Sequence, residues 1–484
     1  MRLFDFLERY IVAISTVLAL VLIFVFSKFL NNSTYAVGLV GMVVAVAFLF
    51  TVFVKKPENA LFVMAFFLPF ERIPSVDLGG MSLKINHIVA LTAFLALLVN
   101  SIAGQRKIKS DPILVMVLIL LADIALSITY AANISRAVQV FAFMALMALV
   151  YFTAKSLINS RRDVEMVLKG IIYGAIAVAL LGAFQFLGDS IGLPNSVTLL
   201  KKGYDSGTFG FARVQGASQE PLYFANYIFI PFLILIFLLI DGKLKEILPR
   251  WLGILLIVLL GVNFILAISR GAFLAAGAIG LILIATKYKK LLTLKVIIPA
   301  ISVLVVVVIG VYLGLLRSEP RALDEFVGHL LVNDRVVGES VSSRLDAIDQ
   351  AKELFLSNQM LGVGIGNYGP SVQHEFDADG KPVGGWFIVN NEYLELLAEL
   401  GLFGLLAFVA LIITVTYYAI KAIRSCPGNF VSSSLEGSLF ALYAILFQYM
   451  TFSTLYIFHL WFLIAFISGQ SAYLLNRRNK AYEN

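Results

Sequence analysis

The sequence predicts an all-α, polytopic integral membrane protein. The expected architecture is a bundle of about 12–14 transmembrane helices carrying a large extracytoplasmic helical loop. Three observations predict it. Of 484 residues, 60 % are hydrophobic and only 14 % are charged, against about 25 % charged in a soluble domain. Apolar stretches recur near the length of about 20 residues that crosses hydrocarbon. Basic residues fall in alternate short connections, the pattern that orients helices in a membrane.

In chain order, the apolar stretches are 10–30, 35–54, 84–104, 113–131, 135–157, 164–187, 222–240, 250–268, 270–286, 295–315, 392–420, 434–453 and 456–475. A shorter run, 59–70, ends Leu68-Pro69-Phe70. It counts as a crossing because only then do the basic runs alternate. Those runs are Lys55-Lys56, Arg106-Lys107-Lys109, Arg161-Arg162, Lys243-Lys245, Lys287-Lys289-Lys290, Lys421-Arg424 and Arg477-Arg478-Lys480. The rule then puts both termini in the cytoplasm. The chain divides into membrane helices over 1–187, a first external loop over 188–221, membrane helices over 222–316, a large external loop over 317–391, and membrane helices over 392–484.

Composition narrows function. The net charge of +7 is spent on topology, so no nucleic-acid partner is expected. The single cysteine, Cys426, permits no intramolecular disulfide and no cysteine metal cluster. Tyr10 to Leu30 is long enough to span, and no convincing small-residue cleavage site follows it.

Arg270 is the most informative residue. It sits in Ile268-Ser269-Arg270-Gly271 between two apolar stretches, so it occupies the tip of a tight hairpin, with Gly271 expected to ease the bend. A guanidinium does not lose its proton, and holding it beside hydrocarbon is expensive. It either caps a turn and snorkels or holds an anion. Arg213, eight residues before Pro221, is a second cation near the same interface.

In the large loop, Ser343-Arg344-Leu345-Asp346 reads as a capping-box-like helix start. Leu345, Ile348, Ala351, Lys352 and Phe355 recur at helical spacing up to Ser357-Asn358. Gly364, Gly366 and Gly369 match G-x-G-x-x-G by letter, but a dinucleotide site needs a preceding strand and a βαβ unit. A flexible external turn is the expected structure. The loop closes with Asn390-Asn391-Glu392-Tyr393-Leu394. Glu392, Glu395 and Glu399 share one face of the helix that follows. They either pair with the outer arginines or act as bases. His374 is the histidine of this half of the loop.

Ser269-Arg270-Gly271, the Arg344 helix, Leu361-Gly362-Val363-Gly364-Ile365-Gly366-Asn367-Tyr368, Asn391-x-Tyr393-Leu394 and Glu399-x-Gly401-Leu402 occur in order. Arg213-x-x-Gly216 with Pro221 and Ala225 precedes them. Together they resemble the O-antigen ligase and O-antigen polymerase superfamily over residues 200–420. The resemblance implies a metal-independent glycosyltransferase of the bacterial inner membrane, with no cofactor and its active site on the periplasmic face. Its donor would be a glycan on undecaprenyl pyrophosphate, and its acceptor a glycan or lipid-linked sugar hydroxyl at the membrane lipid. Arg213, Arg270 and Arg344 would bind pyrophosphate, since guanidinium forks match phosphate oxygens. Glu392, Arg270 and Asn390 would be catalytic, with His374, Glu395 and Glu399 as further candidates. Many ligases carry histidine where this chain has Asn390. That departure favours a polymerase of O-antigen or exopolysaccharide repeats over a ligase to the lipid A core. A polysaccharide or lipid transporter, whose arginines only bind substrate, is the alternative from another class.

Overall fold

The computed structural model describes residues 33–73, 75–78, 81–104, 111–206, 211–286, 335–373, 382 and 385–483. The expected spans 10–30 and 295–315, and His374, lie outside the described residues.

The helices are α1 (Ser33–Lys55), α2 (Glu58–Phe66), α3 (Ile85–Ile102), α4 (Pro112–Ser127), α5 (Ile134–Leu157), α6 (Arg161–Ser190), α7 (Pro221–Ile240), α8 (Arg250–Leu266), α9 (Arg270–Thr286), α10 (Arg335–Ser357), α11 (Tyr368–Val372), α12 (Glu392–Ser425), α13 (Phe430–Gln448) and α14 (Phe458–Glu483). Among the described residues, 8 helices are long and apolar enough to cross a membrane, and Val43–Lys55, Arg250–Leu266 and Arg270–Ala285 are shorter apolar helices. The chain is a polytopic helical membrane protein. Among the described residues one antiparallel strand pair interrupts the helices: β1 (Ser75–Leu78) pairs with β2 (Met81–Lys84), which runs directly into α3.

Local chemistry sets the helix starts. Asp111 accepts from Leu114 N at 2.7 Å ahead of Pro112 in α4. Asn133 accepts from Arg136 N at 3.0 Å at the head of α5. Ser160 and Asp163 form a capping box on α6. Each satisfies amides that a helix start leaves bare.

The two ends of the bundle differ in chemistry. At one end lie the basic turns, where Lys155 pairs with Asp111 at 2.5 Å and Arg161 with Glu246 at 3.0 Å. The other end carries the loop after α6, the α8–α9 turn, α10, α11 and the α13–α14 connection. The run 59–70, expected as a crossing, takes an unexpected form. Its helix α2 has only 9 residues. The chain then continues without helix to Arg72, whose N–H bonds Ala217 O at 2.9 Å. Leu68 and Glu71 are buried there. Non-helical backbone at this depth survives because protein, not lipid, surrounds it.

The core is built on α13 and α14, whose spans are 78 % and 83 % buried, while α4 is only 28 % buried. Val115, Leu118 and Ile119 of α4 face outward, the sign of a helix that meets lipid rather than water.

Candidate active site

The cationic part begins at the α8–α9 turn. Asn263 O accepts from Ala267 N at 2.9 Å and ends α8. Ile268 then takes φ 46°, a left-handed conformation that a β-branched residue rarely adopts. Its carbonyl is held by Arg213 Nη2 at 3.0 Å, and Val214 N donates to Leu266 O at 3.2 Å. The first loop thus clasps the hairpin. Gly271 does not make the bend: it lies inside α9, where a Cβ would come within 1.9 Å of Thr451 Oγ1. The bend falls on Ile268, and Gly271 allows the α13–α14 connection to approach.

Arg213 is itself positioned from several sides. Its N–H bonds Tyr204 O at 2.9 Å and its guanidinium lies 5.7 Å from the Tyr204 ring centroid. Gln185 of α6 accepts from Gly216 N and donates to Gly216 O, both at 2.9 Å. The Arg213-x-x-Gly216 motif is therefore a rigid ledge. Arg72 braces the same loop through Leu199 O. Burial lowers the Arg72 pKa from its ordinary value.

Burial, then the charges of Arg270 and Arg344, lower the pKa of Arg213, with Tyr204 and Glu220 acting in the opposite sense. Burial and then Arg270 lower that of Arg344. Both stay cationic at neutral pH, because a guanidinium does not lose its proton in a protein. Three guanidiniums from the first loop, the hairpin and α10 therefore share one field.

The α10 helix differs from its expected form. It starts at Arg335, so Ser343-Arg344-Leu345-Asp346 is mid-helix and no cap. A serine three residues before an acid also occurs inside helices, and here the chain is already wound. Leu345 is 56 % exposed. Ala347, Ile348, Ala351 and Leu354 face the protein, against Tyr368, Val389 and Ala398. Tyr368 OH, donating to Ala347 O at 3.2 Å, ties α10 to the glycine segment.

That segment is closely packed rather than a flexible turn. Gly362, Gly364 and Gly366 all have positive φ, and a Cβ on each would strike Glu399, Ala131 or Val140 within 2.7 Å. Glu399 locks it, accepting from Gly366 N at 2.7 Å and Tyr368 N at 3.0 Å. The described element before it is the helix α10 and not a strand, so the βαβ setting of a dinucleotide site is missing there.

The α12 helix opens with Asn391, which accepts from Leu394 N at 3.1 Å and donates to Met450 O at 3.1 Å. Asn390 adopts φ 56°, a region asparagine tolerates better than most residues. Glu392, Glu395 and Glu399 do share a face, and the helix is broken by a kink at Gly401, with φ 63° and ψ −159°, before it resumes. Glu395 accepts from Val389 N at 3.0 Å. Glu392 is 3 % exposed and its Oε2 is buried without a hydrogen-bond partner. The three carboxylates and Arg136 line a cavity of about 30 Å³. Arg136 lies within electrostatic reach of Glu395 and Glu399.

The α13–α14 connection joins the two parts. Tyr449 O accepts from Glu392 N at 2.9 Å, and Thr451 lies against Gly271. A buried polar chain holds its base: His459 meets Glu71 Oε1 at 2.9 Å and Asn226 Oδ1 at 2.7 Å, and Asn226 donates to Gln448 at 2.9 Å.

Arg213, Arg270 and Arg344 thus lie within electrostatic reach of one another, and Glu392, Glu395 and Glu399 line one cavity with Arg136. Asn390 lies beside that second group. Sequence reading missed Arg136, Gln185, Arg72 and His459. Arg136 and His459 carried one signal, a titratable group at or within an apolar stretch; Gln185 carried none.

Residues 255–409 match the family described as O-antigen ligase. The match supports the O-antigen ligase and polymerase superfamily for this chain, and with it a ligase- or polymerase-type function. It takes in Arg270, Arg344, the glycine segment, Asn390 and Glu392, and leaves out Arg213, Arg136 and His459. Among curated proteins, nothing matches the chain.

Proposed function

We propose that this O-antigen ligase-like chain moves a glycan from undecaprenyl pyrophosphate to an acceptor sugar hydroxyl, and that it polymerises repeat units rather than loading lipid A core. The observation that carries the reading is the shared field of Arg213, Arg270 and Arg344. Like charges confined together repel, and an anion among them relieves that repulsion. A lipid pyrophosphate is such an anion, and it arrives from the membrane beside α9. The basic turns at the opposite end fit a cytoplasmic side, which leaves the site on the periplasmic face of the bacterial inner membrane.

In the reaction, the acceptor oxygen attacks the anomeric carbon. The bond from that carbon to the pyrophosphate oxygen breaks, and the three arginines stabilise charge gathering on the leaving group. The acceptor proton passes to Glu392, whose Oε2 is buried and unpartnered. Asn390 is an amide and cannot take that proton; its place is to orient a sugar. Glu399 is already committed to the amides of Gly366 and Tyr368.

The test is glycan transfer from a lipid pyrophosphate donor in proteoliposomes. Arg270→Ala should abolish transfer while the protein still inserts. Arg270→Lys should recover little, because an ammonium is a point charge and not a fork. Full activity of Arg270→Ala would refute the donor site.

A further inference from the structure

The carboxylate cavity has features that proton transfer alone does not explain. Glu392 lines it, with one buried oxygen lacking a partner. Arg136 lines it too, its Nε also buried without a partner. Its lining includes exposed apolar residues: Phe387 is 52 % exposed and Ile388 is 42 % exposed. At about 30 Å³ the cavity has room for a water or two, or for one hydroxyl group.

We infer that this cavity is the acceptor subsite, taking one hydroxyl of a neutral sugar whose ring lies against Phe387. This rests on the glycan-transfer reading above. A pyranose has one face of C–H bonds and a rim of hydroxyls. An exposed ring beside buried acceptors offers the matching pair of surfaces, an apolar wall with a few convergent polar groups. Glu392 Oε2 accepts the hydroxyl proton, which the bare oxygen is placed to do. Arg136 balances Glu395 and Glu399, so that two further carboxylates can stand beside Glu392.

The same charges select the ligand. Three carboxylates face one guanidinium. Arg136 is already shared between Glu395 and Glu399, and a uronic acid would bring a further buried carboxylate with no cation of its own, so neutral sugars are preferred over acidic ones. Phosphate-bearing ligands are excluded for the same reason and belong to the arginine cluster.

The experiment is saturation-transfer NMR on the full chain in nanodiscs, with methyl β-glucopyranoside and methyl β-glucuronide as probes. The glucopyranoside should show contact, and the glucuronide should bind at least about tenfold more weakly, a difference of roughly 1.4 kcal/mol. Phe387→Ala should lose the glucopyranoside contact and Phe387→Tyr should keep it. Glu392→Leu should lose it, whereas Glu392→Gln, which still offers an oxygen, should keep binding and lose turnover. Equal binding of the two probes, or contact that survives both Phe387→Ala and Glu392→Leu, overturns the subsite. Glycan transfer without any glucopyranoside contact refutes the subsite alone. Contact without glycan transfer from a lipid pyrophosphate refutes the transferase reading and leaves the cavity as a sugar site.

Discussion

Replacing Gly271 with alanine is the sharpest test of how the arginine hairpin is held. The added Cβ would lie 1.9 Å from Thr451 Oγ1, 3.0 Å from its Cβ and 3.6 Å from its Cγ2. Ordinary contact begins at 3.4 Å, so the hydroxyl is too close by 1.5 Å. It cannot withdraw alone, because Thr451 Oγ1 and N both bond Gln448 O, at 3.0 and 2.8 Å. Gln448 in turn belongs to the buried chain through Asn226 and His459. Overpacking of this kind costs about 1–3 kcal/mol. Alanine recovers at most about 1 kcal/mol through helix propensity, less in a first turn. The larger effect falls on function. If the hairpin yields instead of the connection, Arg270 moves by about 1 Å, and a displacement of that size can lower turnover by about a hundredfold. Thr451→Ala removes the closest atom and leaves only the 3.0 Å contact. The double variant should therefore regain most of the lost transfer. The assay is glycan transfer alongside thermal unfolding, for both single variants and the pair. Wild-type turnover by Gly271→Ala, or a double variant no better than Gly271→Ala, would refute this account of the hairpin.

Other predictions follow from the same contacts. Arg344→Ala and Arg213→Ala should each lower transfer roughly tenfold or more, since a charge-assisted bond contributes about 1.5–3 kcal/mol; only Arg213→Ala should also lower the melting temperature, because it alone releases Ile268 O. A donor-affinity measurement that leaves both unchanged would remove them from the pyrophosphate site. Transfer should persist in EDTA, as the described residues hold no group of three His, Cys, Asp or Glu able to bind a metal; inhibition reversed by a divalent ion would contradict this. The native chain should lengthen lipid-linked repeats and fail to complement a ligase-null strain, with Asn390→Ala milder than Glu392→Gln; successful complementation would overturn the polymerase assignment.

Much of the fold was legible because hydropathy is a local property. Pro112, Ser160 and Asn391 start helices where apolar runs begin, and the alternation of Lys55, Arg161 and Lys421 orders the crossings. The form of the short run 59–70 was not legible. Nothing in its composition says that a 9-residue helix gives way to turns and bends, which are braced by the loop that receives Arg72. The arginines were legible because charge beside hydrocarbon is rare. Their partners were not. Gln185 reaches Gly216 across 31 positions and His459 reaches Glu71 across 388, and no periodicity encodes such pairings. Ile268 misled for the opposite reason: a glycine beside a turn is the expected bend residue, yet packing against Thr451 claims Gly271 and leaves the left-handed conformation to isoleucine.

The separation of charge is the step that makes the site usable. Three guanidiniums and three carboxylates lie at the same end of the bundle, and direct pairing would satisfy both while leaving nothing for a substrate. The chain avoids this with two devices. Glu395 and Glu399 are given other neighbours, the amides of Val389, Gly366 and Tyr368 together with Arg136. The α13–α14 connection stands between the helix that bears the acids and the hairpin that bears Arg270, bonded to the first through Tyr449 O and Met450 O and packed on the second through Thr451. Its base is held by a histidine, a glutamate and two amides without access to water, an arrangement that is costly unless every geometry is kept. The rigidity is therefore placed where an anion and a nucleophile must be kept apart before they meet. A charge-swapped pair at Arg136 and Glu395 should preserve the acidic cavity and its spacing. Arg136→Gln alone should leave the carboxylates seeking a cation, and would be expected to draw them toward the arginine cluster and weaken donor binding. A donor affinity unchanged in Arg136→Gln would show that the connection alone keeps the charges apart.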